Sequence, residues 1–213
     1  MSLADLLTTP EDQRNESWEL SILELLPATQ LKLLSQDPQT GPDGWPYILA
    51  ETLPEGEQGE LCSKLLNWLA EKGIGLVINP TKEYPDAVIS YGMTWSFRQR
   101  GLLRKPDQRP DEGTIEFQPG QKIYTRPPDE THIPEYARGI LRQFFQQQGV
   151  PKPEVLMIST DQENEDLCVS IQSLGSPPTE EHQGILEAIS WFVPTDYSIA
   201  LIDSDGLPEF VEL

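Results

Sequence analysis

The sequence of 213 residues is poor in the side chains that carry most enzymatic chemistry. It holds two histidines, His132 and His182, and two cysteines, Cys62 and Cys168. The cysteines lie far apart, one in an expected helix and one in an expected strand. They are too few for a thiolate metal site and read as buried thiols of a cytosolic protein rather than as a disulfide. The histidines lack the i, i+4 spacing that pins a zinc ion. Any Ser-His-Asp or Cys-His arrangement would have to use one of these two. No stretch approaches the roughly 20 consecutive apolar residues of a membrane span. The opening residues, Met1-Ser2-Leu3-Ala4-Asp5, lack the basic and apolar regions of a secretory signal. Gly73-Ile74-Gly75 is no dinucleotide fingerprint, because it follows a helix and precedes a strand, the reverse of the required order. The expectation is a cytoplasmic chain with no cofactor, no metal and no membrane partner.

Basic charge is also scarce: 15 Lys and Arg stand against 35 Asp and Glu, a net charge of −20. The imbalance is uneven. Residues 1–60 hold 12 acidic and 2 basic groups, residues 61–152 hold 10 and 13, and residues 153–213 hold 13 and none. Such a field repels nucleic acid and anionic lipid, so any anion-binding role is confined to the middle section. The carboxylates themselves leave two other classes open. One is a hydrolase or transferase whose acids converge in the fold; the other is an inhibitor that mimics acidic nucleic acid.

What is present is apolar periodicity. An apolar fraction of 37% supports a packed core, and an α+β chain of two modules, 1–110 and 111–213, is expected. Thr9-Pro10 opens a helical segment whose apolar residues are Trp18, Ile22, Leu25 and Leu26, ending at Pro27. Leu31, Leu33 and Leu34 suggest a second short helix, and residues 47–53 a strand. Leu61, Leu65, Trp68 and Leu69 form the apolar face of a helix closed by Gly73. Residues 75–78 read as a buried strand. Ala87, Ile89, Tyr91, Met93, Trp95 and Phe97 alternate with small or polar residues, Val88 being the one exception, which predicts one long strand over 87–98.

The second module is more regular. A hairpin or entry strand is expected within residues 115–125. A helix follows with Ile133, Tyr136, Ala137, Ile140, Leu141, Phe144 and Phe145 at spacings of three and one, ended by Gly149 and Pro151. Strands over 154–159 and 167–173 flank a polar turn at 161–166. Thr179 caps a helix over 180–193, and 197–203 is the last strand. The order βαββαβ predicts a ferredoxin-like module, an antiparallel sheet with two helices on one face.

Several of these segments carry a resemblance. Gly75-Leu76-Val77-Ile78-Asn79-Pro80, Gln118-Pro119-Gly120-Gln121-Lys122-Ile123 and Pro127-Pro128 belong to it. So do the helix from Pro134 to Gly149, the strand Val155 to Ser159, and the end from Phe192-Val193-Pro194 through Ile202-Asp203 to Leu207-Pro208-Glu209-Phe210. Together they are similar to the SseB proteins, named for enhanced serine sensitivity, over residues 70–80 and 115–213. The resemblance implies a bacterial cytosolic protein of two α/β modules with no established reaction, and it brings no catalytic residues.

The candidate binding residues run from the end of the expected strand over 87–98 into the loop or linker expected over 99–114. Trp95, Phe97, Arg98, Arg100, Arg104 and Lys105, with Arg109 beyond them, combine aromatic and basic groups of the kind favoured where proteins meet. They suit an acidic protein partner or a phosphate group. The same residues also read as core aromatics beside arginines paired to the chain's own acids. The acidic turn Asp161, Glu163, Glu165 and Asp166 lacks the spacing of a calcium loop and reads as solvated. No catalytic residue is assigned. The reading that follows is a non-enzymatic interaction or regulatory module, of undetermined oligomeric state.

Overall fold

A computed structural model describes residues 3–54, 56–82, 84–104, 122–161 and 164–213. It is an α+β protein that falls into two compact units, Met1–Asp107 and Gln108–Leu213. Residues 115–121 and Lys105, with their expected hairpin and binding role, lie outside the described residues.

The first unit opens with α1 (Leu3–Leu7) and α2 (Glu16–Leu25). Asn15, not Thr9, is the cap of α2: its side chain accepts a hydrogen bond from the Trp18 backbone N–H at 3.0 Å. Strands β1 (Gln30–Leu33), β2 (Gln39–Thr40), β3 (Pro46–Thr52) and β4 (Glu60–Leu61) follow. The leucines of β1 had suggested a helix. They lie instead in a strand paired antiparallel on both sides, to β3 and β4, with Leu31 fully buried. Tertiary pairing outweighs leucine's helix preference here.

Helix α3 (Cys62–Lys72) then leads to β5 (Gly75–Ile78), which runs parallel to β3, and β6 (Ala87–Ile89) returns antiparallel. Gly73 closes α3 in the left-handed conformation, φ 69°. The buried side of α3 is Cys62, Leu66, Leu69 and Ala70; Trp68, expected among the core residues, is 43% exposed. The sheet order is β4-β1-β3-β5-β6, with β2 on β3.

The long strand expected over 87–98 stops at Ile89. Residues Tyr91–Arg100 form a helix, α4, with Ser90 accepting from the Met93 N–H and Gly101 closing it at φ 76°. The reason is burial on every side. All seven residues from Tyr91 to Phe97 are buried, the small ones included. A helix with no solvent face has no apolar stripe to display. Its large side chains happened to fall two apart, and two of its small polar ones bond to backbone carbonyls. Thr94 Oγ1 donates to the Tyr91 carbonyl and Ser96 Oγ to that of Leu102, each at 2.8 Å. Met93 and Phe97 join Leu31, Ile48, Leu66, Leu76 and Ile89 in one core.

The second unit contains β7 (Tyr124–Arg126), α5 (Glu135–Gln147), β8 (Glu154–Ser159), β9 (Asp166–Ser170), α6 (Thr179–Ser190), β10 (Ser198–Ile202) and β11 (Val211–Glu212). The βαββαβ order is present, followed by a seventh short element. The ferredoxin-like pairing is not. Strands lie in the order β10-β9-β8, with β7 and β11 sharing the far edge of β8, and β9 runs parallel to its neighbour β10. The sheet is therefore mixed. Helix α6 joins two adjacent parallel strands, whereas the split βαβ pattern leaves a strand between them.

Both sheet faces are covered. Leu156, Ile158, Cys168, Ala200 and Ile202 pack with Phe210 and Leu207 of the closing segment. The alternate row, Val155, Met157, Leu167, Val169, Ile199 and Leu201, is buried as well. On α5, Ala137, Leu141, Phe144 and Phe145 are buried, and Phe144 stacks on Phe192 at 4.1 Å.

Candidate functional site

Helix α4 divides the residues proposed to meet a partner. Trp95 is fully buried and Phe97 is 8% exposed, so these aromatic rings serve the core and cannot form a contact surface. The basic residues beyond them point outward. Arg98 lies 2.8 Å from the Glu71 carboxylate and donates to the Asn67 carbonyl at 3.1 Å, bridging α4 to α3. Arg104 lies 3.3 Å from Glu16 and 4.0 Å from Glu19 of α2. Arg100 is exposed on the last turn, and Leu102 just after it is 50% exposed. Helices α3 and α4 together carry Lys64, Lys72, Arg98 and Arg100 against Glu71 alone. In a chain of net charge −20 this pair of helices is locally basic.

Sheets with adjacent parallel strands tend to bind ligands just outside the carboxyl ends of those strands. In the first unit that position lies beyond Thr52 of β3 and Ile78 of β5, and the chain's own side chains fill it. Asn79, at a left-handed φ of 54°, accepts from the Thr52 N–H at 3.0 Å and donates to Asp86 Oδ2 at 2.7 Å. The Asp86 side chain is wholly buried. Arg14 holds its other oxygen at 2.9 Å, and Lys82 reaches Oδ2 at 2.5 Å. Arg14 also donates to the Thr9 carbonyl and lies over the Trp18 ring, 4.4 Å from its centroid. Trp18 in turn donates to the Leu6 carbonyl at 2.8 Å. One buried carboxylate thus ties the helices before β1 to the sheet.

At the corresponding place in the second unit, beyond Ser170 of β9 and Ile202 of β10, exposed polar side chains bond to one another. The Gln172 amide oxygen accepts from the Ser204 N–H at 3.1 Å and its hydroxyl at 3.0 Å, and its NH₂ donates to Asp203. The Asp205 N–H and Gln172 hold the Asp203 carboxyl below its ordinary pKa.

A cluster of ionisable groups among the described residues was not visible in the sequence, because Glu165 lies 39 positions from Arg126, although Asp129 and His132 are close to that arginine in the chain. Arg126, at the end of β7, grips Glu165 through two parallel hydrogen bonds, Nε to Oε1 at 2.7 Å and Nη2 to Oε2 at 2.5 Å. Its Nη1 donates to Asp129 at 2.9 Å. His132 sits between the acids, with Nδ1 2.7 Å from Asp129 Oδ1 and Nε2 3.2 Å from Glu165 Oε2. Nε2 also lies 2.7 Å from Arg126 Nη2.

The electrostatics follow from the hydrogen bonds. Arg126 lowers the Glu165 pKa, and Glu165 raises that of Arg126. The Thr131 hydroxyl, then His132, lowers the Asp129 pKa well below its ordinary value.

An Asp–His pair of this kind orients the base of a nucleophilic triad when a hydroxyl or thiol faces the other ring nitrogen. Here that nitrogen faces Arg126 and Glu165, and the Thr131 hydroxyl is committed to Asp129 at 2.6 Å. A general acid at neutral pH needs a raised carboxyl pKa; both of these are lowered. The arrangement acts as a clamp between the β8–β9 turn and the segment leading into α5. Tyr197 braces that segment by donating to the His132 carbonyl at 2.6 Å.

Neither cysteine is poised for chemistry. Both are free and buried, and burial pushes the Cys62 thiol up to about 12 and raises that of Cys168 as well. Among the described residues no group of three or more His, Cys, Asp or Glu side chains is placed to hold a metal ion, and no helix is long and apolar enough to cross a membrane. No family model, curated protein or solved structure matches the chain.

Proposed function

We propose that the chain is a non-enzymatic protein-interaction or regulatory module whose contact face is the outer side of α3 with the exposed last turn of α4. One contrast carries this reading. The polar side chains beyond the parallel strands bond to one another, Asn79, Asp86 and Lys82 in one unit and Gln172, Asp203 and Ser204 in the other. The α3–α4 pair instead displays exposed apolar and cationic side chains. Arg98, Arg100 and Arg104 are the surface part of the motif found in the sequence, and they suit a partner of opposite charge. Kinship with the SseB proteins and a cytoplasmic location belong to the same proposal and rest on the residues quoted above.

The test is affinity capture on the immobilised full chain from bacterial lysate across a series of salt concentrations, with the Arg98→Glu/Arg100→Glu variant alongside. A specific partner, retained by the wild type and lost on charge reversal, supports the reading. Recovery of no specific partner at any salt concentration overturns it, as does a captured partner indifferent to the variant.

A further inference from the structure

The outer side of α3 holds a row that neither the fold nor the internal charge networks use. Lys64, Trp68 and Lys72 follow one another at four-residue intervals and are all exposed, opposite the buried Cys62, Leu66, Leu69 and Ala70. The helical rise places the two ammonium-bearing residues ~6 Å along the axis on either side of the indole, and ~12 Å from each other.

The described lysines fall into two groups. Lys32, Lys82 and Lys152 each lie within 4 Å of a carboxylate, at 3.9, 2.5 and 3.7 Å. Lys64, Lys72 and Lys122, the last lying over the Tyr124 ring at 4.5 Å, have no carboxylate of the described residues within 4 Å, although the sequence carries 35 acidic residues. Glu71, the acid on the same helix, is held by Arg98 at 2.8 Å. An exposed tryptophan between two unpaired cations combines what is enriched at interface hot spots with the charge that guides docking.

We propose that this row anchors an acidic peptide segment of a partner protein, with an apolar side chain laid on Trp68 and a carboxylate meeting each lysine. The inference rests on the interaction-module reading and names the partner's chemistry. Three observations select this occupant. The lysines lack acids, so the partner supplies them. Two isolated ammonium groups neutralise only two phosphates, and a field of −20 opposes a polyanion, which disfavours nucleic acid. A two-fold dimer through the same face would bring Lys64 and Lys72 of one copy against those of the other, placing like charges together.

The experiment is a fluorescence-anisotropy titration of the full chain against a short labelled peptide with glutamates at both ends and leucines at its centre. Wild type is expected to bind, more weakly as salt rises from about 0.05 to 0.3 M. Lys64→Glu/Lys72→Glu and Trp68→Ala are each expected to lose at least about tenfold in affinity. Lys64→Arg/Lys72→Arg, which keeps the charge, is expected to retain binding. Thermal unfolding of each variant confirms that the fold is kept.

Three results would overturn the proposal. The first is no peptide binding by the wild type at about 1 mM. The second is equal binding by the folded charge-reversed variant, or by wild type of an oligodeoxynucleotide. The third is a dimer in sedimentation that Lys64→Glu/Lys72→Glu dissociates, which would assign the face to a second copy. Capture of a partner that survives this variant but not Arg98→Glu/Arg100→Glu refutes the α3 anchor alone. Failure of the capture by wild type refutes the interaction module itself.

Discussion

Asp86 in the first unit is held by Arg14, Lys82 and Asn79, and Glu165 in the second by Arg126 beside His132, in different solvent. The Asp86 side chain has no exposure, while those of Glu165 and Arg126 are 29% and 37% exposed. Removing a buried carboxylate strands the charges it neutralised in a medium that cannot solvate them. A half-exposed pair is screened, and water replaces much of what either partner loses. The first unit therefore depends on its network to keep α1 and α2 in place. The second uses its network to fix a turn whose sheet is already buried on both faces. The same pairing of groups serves assembly in one unit and local order in the other.

Asp86→Ala is the sharpest test of this difference. It leaves Arg14, Lys82 and Asn79 without their shared acceptor and is expected to cost about 3 kcal/mol, lowering the melting temperature by more than about 10 °C. Each unit carries one buried thiol, Cys62 or Cys168, so alkylation under native conditions reports their opening separately. The variant is expected to accelerate modification of Cys62 and leave Cys168 slow. Equal acceleration of both would break the contrast.

Glu165→Gln removes the half-exposed counterpart and is expected to cost ~1 kcal/mol at neutral pH, read by urea denaturation. Its pH dependence has a definite sign. Glu165 and Asp129 bind a proton less readily in the folded chain than at their ordinary pKa values of 4.5 and 3.8. Their stabilisation is complete above those values and is lost as the pH falls towards the folded-state values. The melting temperature of wild type is thus expected to decline faster than that of Glu165→Gln below about pH 5, and the two curves to converge in acid. Parallel curves would show that the clamp does not stabilise the folded state.

The smallest effect is expected at Arg104, whose acidic partners Glu16 and Glu19 are more than half exposed. Arg104→Ala is expected to change stability by less than about 0.5 kcal/mol in chemical denaturation. A larger loss would mean that α2 is tied down from this side as well as through Arg14.

How much of this could be read in the sequence depended on whether an element shows a face to water. Helix α5 is legible because Ala137, Leu141, Phe144 and Phe145 are buried while its other side is solvated. Helix α4 is not, because burial all round erases the stripe. Ser90 and Gly101 cap its two ends, but the alternation of large and small residues between them reads as a strand. Trp68 was assigned to the core because it sits among leucines at helical spacing. The buried row is instead Cys62, Leu66, Leu69 and Ala70, slightly rotated about the axis, and that rotation exposes the tryptophan with its lysines.

Strand pairing was beyond reach for another reason. The order βαββαβ fits several sheets, and nothing local in β9 or β10 states that they run side by side and parallel. The two charge networks join residues 72 and 39 positions apart in Arg14–Asp86 and Arg126–Glu165, which no periodicity reveals.

Helix α4, sealed from Tyr91 to Phe97, has one more consequence. The amides of residues 93–97 resist exchange through small excursions, because every side chain from Tyr91 to Phe97 is buried and both ends of the helix are capped; only the last turn, from Arg98 to Arg100, fronts water. Their exchange in heavy water is expected to require opening of the surrounding unit as a whole. The slowest-exchanging protons of residues 93–97 would then serve as a built-in gauge of that unit's folding free energy.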